Sequence, residues 1–353
     1  MQWELSDEQE LFASSLREWI ESKFPADTVR NLLDSGDTGT FTGALIGDGW
    51  WGVGYPEDAG GEGGGLLELA LAAREFGRAA VPDAGWLAAA LAAPLLSGPE
   101  LSAQLSGERR FAVAIPADRA PALAPLAGDG ERLTGTVRHV LGASDADVFL
   151  VPVAGADGAG MARVPAAATV VTADNLLDRS RTTGTVDFVD VPVGEVSAVD
   201  DLSRMGEIAA VLVAADALGS AERMLRLAVD YSMQRKQFGR YIGAFQAVKH
   251  AAAQMLVTVE AAYSTALYAA AAVDAGSGDA ATVAAVAKAQ VTGSVADLAD
   301  SALTVHGAIG YTWEHDLHLF YKRAKLDRTL FGTPGAWNER IATALLADTG
   351  AAD

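Results

Sequence analysis

From residue 6 to about 107 the apolar positions recur at helical spacing. Leu11, Phe12, Leu16 and Ile20 make one stripe, Ser6 precedes it as an N-cap, and Glu8 and Glu10 fall in the first turns, where they complement the helix dipole. Residues 50–61 interrupt the pattern. Their Gly and Pro content demands turns, and Trp50, Trp51 and Tyr55 demand burial, which predicts a loop with a buried edge between helices. Beyond Arg109 short apolar runs separated by Gly, Asp and Pro predict strands at 111–115, 132–141, 147–153, 168–172 and 183–189, ending near Pro192. Long helical patterns then return at about 208–231, 245–275, 280–305, 315–327 and 334–347, broken at Gly276-Ser277-Gly278. A four-helix bundle with a short C-terminal addition is the simplest packing. The expected architecture is α+β, mainly α: an N-terminal helical domain over 1–108, a middle β domain over 109–195 and a C-terminal helical bundle over 196–353.

Composition narrows the function classes. The 353 residues are 50% hydrophobic and 20% charged, enough for more than one core. A formal charge of −20 repels nucleic acid and anionic membrane surfaces, so neither is an expected partner. The absence of cysteine removes disulfides, thiolate metal sites and thiol nucleophiles, and points to reducing cytoplasm. The N-terminus has no basic region ahead of an apolar run, and apolar stretches such as 261–273 fall short of the ~20 residues that span a bilayer, so a soluble protein is expected.

The densest chemical signal lies in residues 231–250, where Arg235, Lys236 and Arg240 cluster at a turn between two helices around Gly239. Such a turn suits a phosphate, with an Arg as bidentate clamp; bases complementing the end of a helix dipole would give the same cluster. His306, His315 and His318 with Glu314 and Asp316 match no standard metal spacing, and no metal is expected; Glu314 and Asp316 are expected to cap a helix. Rossmann and serine-hydrolase motifs are absent from the sequence.

Tyr231 followed by Arg235-x-x-Phe238-Gly239 and Phe245-Gln246-Ala247-Val248 resembles the signature of the flavin-dependent acyl-CoA dehydrogenase family. The run 306–324, beginning His306-Gly307-Ala308-Ile309-Gly310-Tyr311, resembles a second family segment. Residues 52–61, 72–78 and 186–192 support both in family order. The resemblance implies the acyl-CoA dehydrogenase fold and FAD bound between subunits. It also implies that Arg235, Phe238, Ile242, Gln246, Gly307, Gly310 and Thr333 touch the cofactor, the first turn reaching a flavin whose ring lies in the neighbouring chain. Ala308 replaces a family Gly and Thr304 a family Gln.

The chemistry removes a proton beside the thioester carbonyl and passes a hydride from the next carbon to flavin, so it needs a carboxylate base. The resemblance places that Glu either just before Gly332-Thr333 or on the first helix of the C-terminal domain. Phe331 and Ala209 stand there instead. Glu207 lies ~200° around the helix from Ala209, at ~100° per residue. Residues matching the family's donors to the flavin ring are Ala114 and Leu141, and His139 stands where an aromatic wall is usual. Retention of the partner-facing half with loss of the chain's own half resembles the smaller, degenerate chains of α2β2 acyl-CoA dehydrogenases that act on steroid and other bulky acyl-CoA substrates. The expected activity is therefore α,β-desaturation of an acyl-CoA by an assembly that shares FAD with a related partner subunit, this chain contributing no catalytic residue. The alternative is a self-sufficient homo-oligomer using Glu207 as a displaced base.

Overall fold

The computed structural model describes residues 4–128, 131–155 and 158–350. Its helices are α1 (Asp7–Lys23), α2 (Ala26–Ser35), α3 (Gly39–Gly47), α4 (Leu66–Ala79), α5 (Ala84–Ala92), α6 (Gly98–Leu105), α7 (Ser203–Gln234), α8 (Gln246–Asp274), α9 (Ala280–His306), α10 (Leu317–Asp327) and α11 (Pro334–Gly350). The strands are β1 (Phe111–Val113), β2 (Ala127–Gly128), β3 (Arg132–Leu141), β4 (Val148–Gly155), β5 (Gly158–Pro165), β6 (Val170–Ala173), β7 (Thr183–Pro192), β8 (Val196–Ala198), β9 (Lys236–Gln237) and β10 (Arg240–Tyr241). They fall into two compact units. One comprises Met1–Val29, Leu66–Val81 and Ala210–Asp353; the other comprises Arg30–Gly65 and Pro82–Ala209.

The first unit is helical. Ser6 caps α1 as expected, through a capping box in which the Gln9 N–H donates to Ser6 Oγ at 3.3 Å and the Ser6 N–H to Gln9 Oε1 at 3.0 Å. Helices α4 and α7 approach closely because two glycines face the opposite backbone. A Cβ at Gly77 would lie 2.0 Å from the Asp216 carbonyl oxygen, and one at Gly219 would lie 1.8 Å from that of Arg74. Between helices that close, Arg323 and Asp216 form an ion pair with no side-chain exposure. Nε donates to Oδ1 at 2.9 Å, Nη2 to Oδ2 at 2.5 Å, and Nη1 to the Val81 carbonyl at 2.8 Å. On the neighbouring face Arg17 holds the buried Glu75 carboxylate in a fork, with both bonds at 2.8 Å.

Helix α8 corrects the count of apolar residues made from sequence. It is 29 residues long, and its most apolar window has a mean hydropathy of 1.4, long and apolar enough to cross a membrane by those measures. Packing accounts for part of this composition, since 44% of that window is buried. Helix α8 lies along α9 and against α4, burying Ala262, Ala266, Leu267, Ala270 and Val273.

The second unit holds two four-stranded sheets, ordered β1-β4-β5-β8 and β2-β3-β7-β6; β1 runs parallel to β4 and the other neighbours are antiparallel. Phe149 and Phe188 meet edge to face at 6.2 Å, joining the inner faces of the two sheets. Strand β5, absent from the sequence reading, pairs with β4 along its whole length. Its Gly158-Ala159-Gly160 start carries little strand propensity, so hairpin pairing and not composition makes it a strand. In the loop at 50–61 Trp51 and Tyr55 are buried as expected but Trp50 is only half-buried, and Trp51 Nε1 donates to the Gln104 carbonyl at 3.0 Å.

Arg163 on β5 ties this unit together. It forks onto Glu100 of α6 with two 2.9 Å bonds and donates to the Leu95 and Met161 carbonyls. Hydrogen bonds from Arg163, aided by those from Ser97, hold the Glu100 carboxyl at about 2 despite some opposing burial. The ordinary value is 4.5, so the stabilisation is complete above that pH and is lost as pH falls from 4.5 through about 2. With solvent reaching the pair, the loss is expected to be about 1–2 kcal/mol. Unfolding curves of wild type and Arg163→Gln between neutral pH and pH ~2 check this, since the variant should lose that part of the acid dependence.

Candidate functional site

Helix α7 ends at Gln234, and a short β-hairpin, not a helix–turn–helix corner at Gly239, follows it. Phe238 and Gly239 occupy its two-residue turn with φ of 51° and 78°, the left-handed pair that matches the twist of a tight hairpin. The conformation disfavours a side chain at Phe238, and the ring projects outward with 92% of its surface exposed. Arg235 is anchored by backbone: its N–H donates to the Tyr231 carbonyl at 2.9 Å and its carbonyl accepts from the Ile242 N–H at 2.8 Å. Its guanidinium is exposed and has no ion-pair partner among the described residues. Lys236 lies over the Tyr241 ring at 4.7 Å and Arg240 over Phe245 at 4.2 Å. The hairpin therefore presents three cations, with Gln246 exposed at the start of α8 and Ile242 half-buried beneath.

The second expected segment sits beside the first. Gly307 ends α9 with φ 67° and ψ −145°, a conformation that excludes side chains, and a Cβ there would meet nothing within 4 Å. Its backbone is open to a ligand. Gly310 is small for a different reason than the expected close approach of a nucleotide: a Cβ would lie 2.8 Å from Leu303 Cδ1 and 3.0 Å from Leu317 Cδ2 of its own chain. Thr333 stands at the head of α11, where its hydroxyl accepts the Ala336 N–H at 3.3 Å.

Rings join the two turns. His306, the last residue of α9, stacks on Tyr231 near the end of α7 with centroids 4.8 Å apart, and His315 meets His306 at 4.6 Å. Burial pulls the His306 pKa below its ordinary value, opposed by the Ala302 and Leu227 carbonyls. The expected capping of α10 by Asp316 is corrected: Asp316 makes no side-chain cap bond, and His315 Nδ1 accepts the Leu317 N–H at 3.1 Å instead.

At the two positions where a base was sought, the side chains are apolar and buried. Phe331 is 1% exposed with φ 55°. The loop around it is held by Trp337 Nε1, which donates to the Phe331 carbonyl at 2.9 Å, and by the buried Lys288 ammonium, which donates to the carbonyls of Asp327 and Gly332 at 3.0 and 2.8 Å. Ala209 lies in α7, which is unbroken from Ser203, so the angular offset of Glu207 stands. Glu207 is half-buried and lies 3.5 Å from Arg204. Ala114 and Leu141 are buried. Sequence reasoning missed a hydrogen-bonded group in this region: His139 donates from Nδ1 to Asp174 Oδ2 at 2.9 Å, and Asp174 also accepts from Thr183 Oγ1 at 2.7 Å. The partners are 35 and 9 residues apart, and the pairing of β7 with both β3 and β6 brings them together. A separate cavity of about 700 Å³ in the helical unit is lined by Arg17, Glu75, Arg78, Glu222 and Arg223 and does not include the hairpin.

Residues 207–346 match the family model of the acyl-CoA dehydrogenase C-terminal domain, and residues 6–98 that of the N-terminal domain. Acyl-CoA dehydrogenase IpdE2 of Mycobacterium tuberculosis is 33% identical over 293 residues, covering 79% of this chain and 78% of IpdE2. The chain belongs to the acyl-CoA dehydrogenase family. Acyl-CoA dehydrogenase FadE34 of the same organism is 38% identical over 302 residues, covering 84% of this chain but only 41% of FadE34, so the chain spans about two fifths of that relative. Two solved structures share the acyl-CoA dehydrogenase fold at similar identity. The ChsE4–ChsE5 complex from M. tuberculosis matches with TM-score 0.86 and 26% identity, covering 98% of this chain and 99% of that one. The Tcur3481–Tcur3483 steroid acyl-CoA dehydrogenase, as a G363A variant, matches with TM-score 0.85 and 27% identity at the same coverage. As an acyl-CoA dehydrogenase chain, it comes from a family of FAD-dependent oxidoreductases.

Proposed function

We propose that this chain is the non-catalytic partner in a heteromeric acyl-CoA dehydrogenase, where its hairpin completes the FAD site of a related chain in an α2β2 assembly. The observation that carries the reading is the pairing of one loss with one retention. Phe331 and Ala209 fill both places expected of a carboxylate, while Arg235 remains exposed with no ion-pair partner among the described residues and the Gly307 backbone is open, the two segments being linked by the Tyr231–His306 stack. FAD, when bound, supplies the acceptor for the hydride. This chain's residues fit the diphosphate end of such a cofactor: Arg235 offers a planar two-pronged donor, Lys236 and Arg240 add charge, and Gly307 allows backbone contact. They do not fit the ring end, because Ala114 and Leu141 offer no side-chain donor. Neither Phe331 nor Ala209 can take a proton from the substrate, so the base must come from the partner.

The match to a two-chain complex and to a steroid acyl-CoA dehydrogenase supports a related subunit as partner and a bulky acyl-CoA as substrate. Leu256 and Val257, exposed on α8, give apolar surface for association. The lack of cysteine supports a cytoplasmic setting.

Co-expression with a related chain tests the proposal. The purified complex should be yellow and turn over acyl-CoA, and this chain alone should be colourless. A yellow, active homo-oligomer of this chain would overturn the reading. Within the complex, Glu207→Gln should leave turnover within about three-fold, because loss of a general base costs about 10²- to 10⁴-fold and Glu207 is not one. Collapse of activity in a variant that keeps its flavin would promote the homo-oligomeric alternative.

A further inference from the structure

We infer that His306 is a positioning residue: its ring, packed in a three-ring cluster with Tyr231 and His315, holds the Arg235 hairpin and the Gly307–Tyr311 turn in one fixed relation. The inference rests on the reading that these two turns face a partner's FAD diphosphate.

Two rings meet this one, Tyr231 from 75 residues earlier in the chain and His315 from nine residues later. Tyr231 stacks on His306 at an interplanar angle of 22°, His315 meets it at 64°, and Tyr231 and His315 touch edge to face at 6.2 Å. Each ring is directly connected to backbone that shapes the candidate site. The Tyr231 carbonyl accepts the Arg235 N–H, so the ring and the first cation of the hairpin share one turn of chain. His306 immediately precedes Gly307, whose φ and ψ leave it no side-chain support of its own. His315 accepts the Leu317 N–H and so sets where α10 begins. A shift of the His306 ring therefore displaces both turns together.

The environment of His306 suits a strut and not a proton carrier. It is 4% exposed, and Nδ1 donates to the Ala302 carbonyl at 2.7 Å. The Nδ1 bond fixes the ring plane against the end of α9. Burial disfavours the charged form of the ring. Beyond it, Tyr311 and Trp313 are exposed, Trp313 resting on His318 at 4.8 Å.

Hydrogen–deuterium exchange on the purified chain tests the clamp without any cofactor. His306→Leu should speed exchange in both 235–245 and 307–313, leaving the β sheets of the other unit unchanged, whereas His306→Phe, which keeps a ring, should behave as wild type. If His306→Leu does not fold, Tyr231→Leu is expected to give the same two-segment response. A response confined to 307–313, or His306→Phe behaving like His306→Leu, would overturn the clamp. In the co-expressed complex, titration with FAD should show His306→Leu weakening binding by about 3- to 30-fold, from the loss of two ring contacts. If Arg235→Ala weakens FAD binding but His306→Leu does not, the positioning role fails while the proposed function survives. If both segments respond in exchange and neither variant alters FAD binding, the clamp stands and the cofactor reading fails.

Discussion

Arg235→Ala is expected to lower the affinity of the assembled complex for FAD by about 30- to 1,000-fold. The estimate follows from removing a charge-assisted, two-pronged contact to a diphosphate, which costs about 2 to 4 kcal/mol. Three features of the structure make the effect specific. The guanidinium has no ion-pair partner among the described residues whose loss would destabilise the chain. Its backbone is fixed from both sides by Tyr231 and Ile242, so alanine leaves the hairpin's main chain unchanged. Lys236 and Arg240 are engaged with the Tyr241 and Phe245 rings, so neither can take over the fork geometry. The measurement is flavin absorbance of the complex after exhaustive dialysis, followed by titration with FAD. Arg235→Lys should recover only part of the loss, because a point charge replaces a planar fork. Unchanged flavin content in Arg235→Ala would remove this residue from the cofactor site.

Arg323→Met is expected to destabilise the helical unit by about 3 to 5 kcal/mol. Its partner Asp216 would remain buried without compensation between α4 and α7, and the Val81 carbonyl would lose a donor. For a unit of this size each kcal/mol moves the melting temperature by about 2–4 °C, so a drop of about 6 to 20 °C should appear in thermal unfolding. The paired change Arg323→Met with Asp216→Leu should recover much of the loss, since replacing both charges by apolar groups removes the uncompensated carboxylate. Equal destabilisation in the single and the double variant would show that packing volume, not charge, is what the site requires.

Most of the fold was legible in the sequence because its elements are long and strongly periodic. The stripe through Leu11, Leu16 and Ile20 with Ser6 ahead of it specifies α1 and its cap, and strand β3 begins and ends where the run 132–141 does. Local rules decide such elements, since burial of one face and satisfaction of the terminal N–H groups act within a few residues. The residue types at the candidate site were legible for the same reason. Arg235, Gly307 and the apolar substitutes Phe331 and Ala209 are read from their places in ordered motifs.

The sequence could not show which groups meet across long separations. The turn around Gly239 was expected to join two helices directly, but the left-handed Phe238–Gly239 pair makes it a hairpin, and this decides that its cations project. The roles of the glycines also belong to the tertiary level. Gly307 is required by its backbone angles, Gly310 by Leu303 and Leu317, and Gly77 and Gly219 by the opposite helix. The pairings of Asp216 with Arg323, of His139 with Asp174, and of Tyr231 with His306 span 107, 35 and 75 residues. Nothing in local periodicity encodes them. What α, β or turn each segment adopts follows from its own residues, whereas burial of charge, stacking of rings and the reach of the hairpin depend on which surfaces packing brings together.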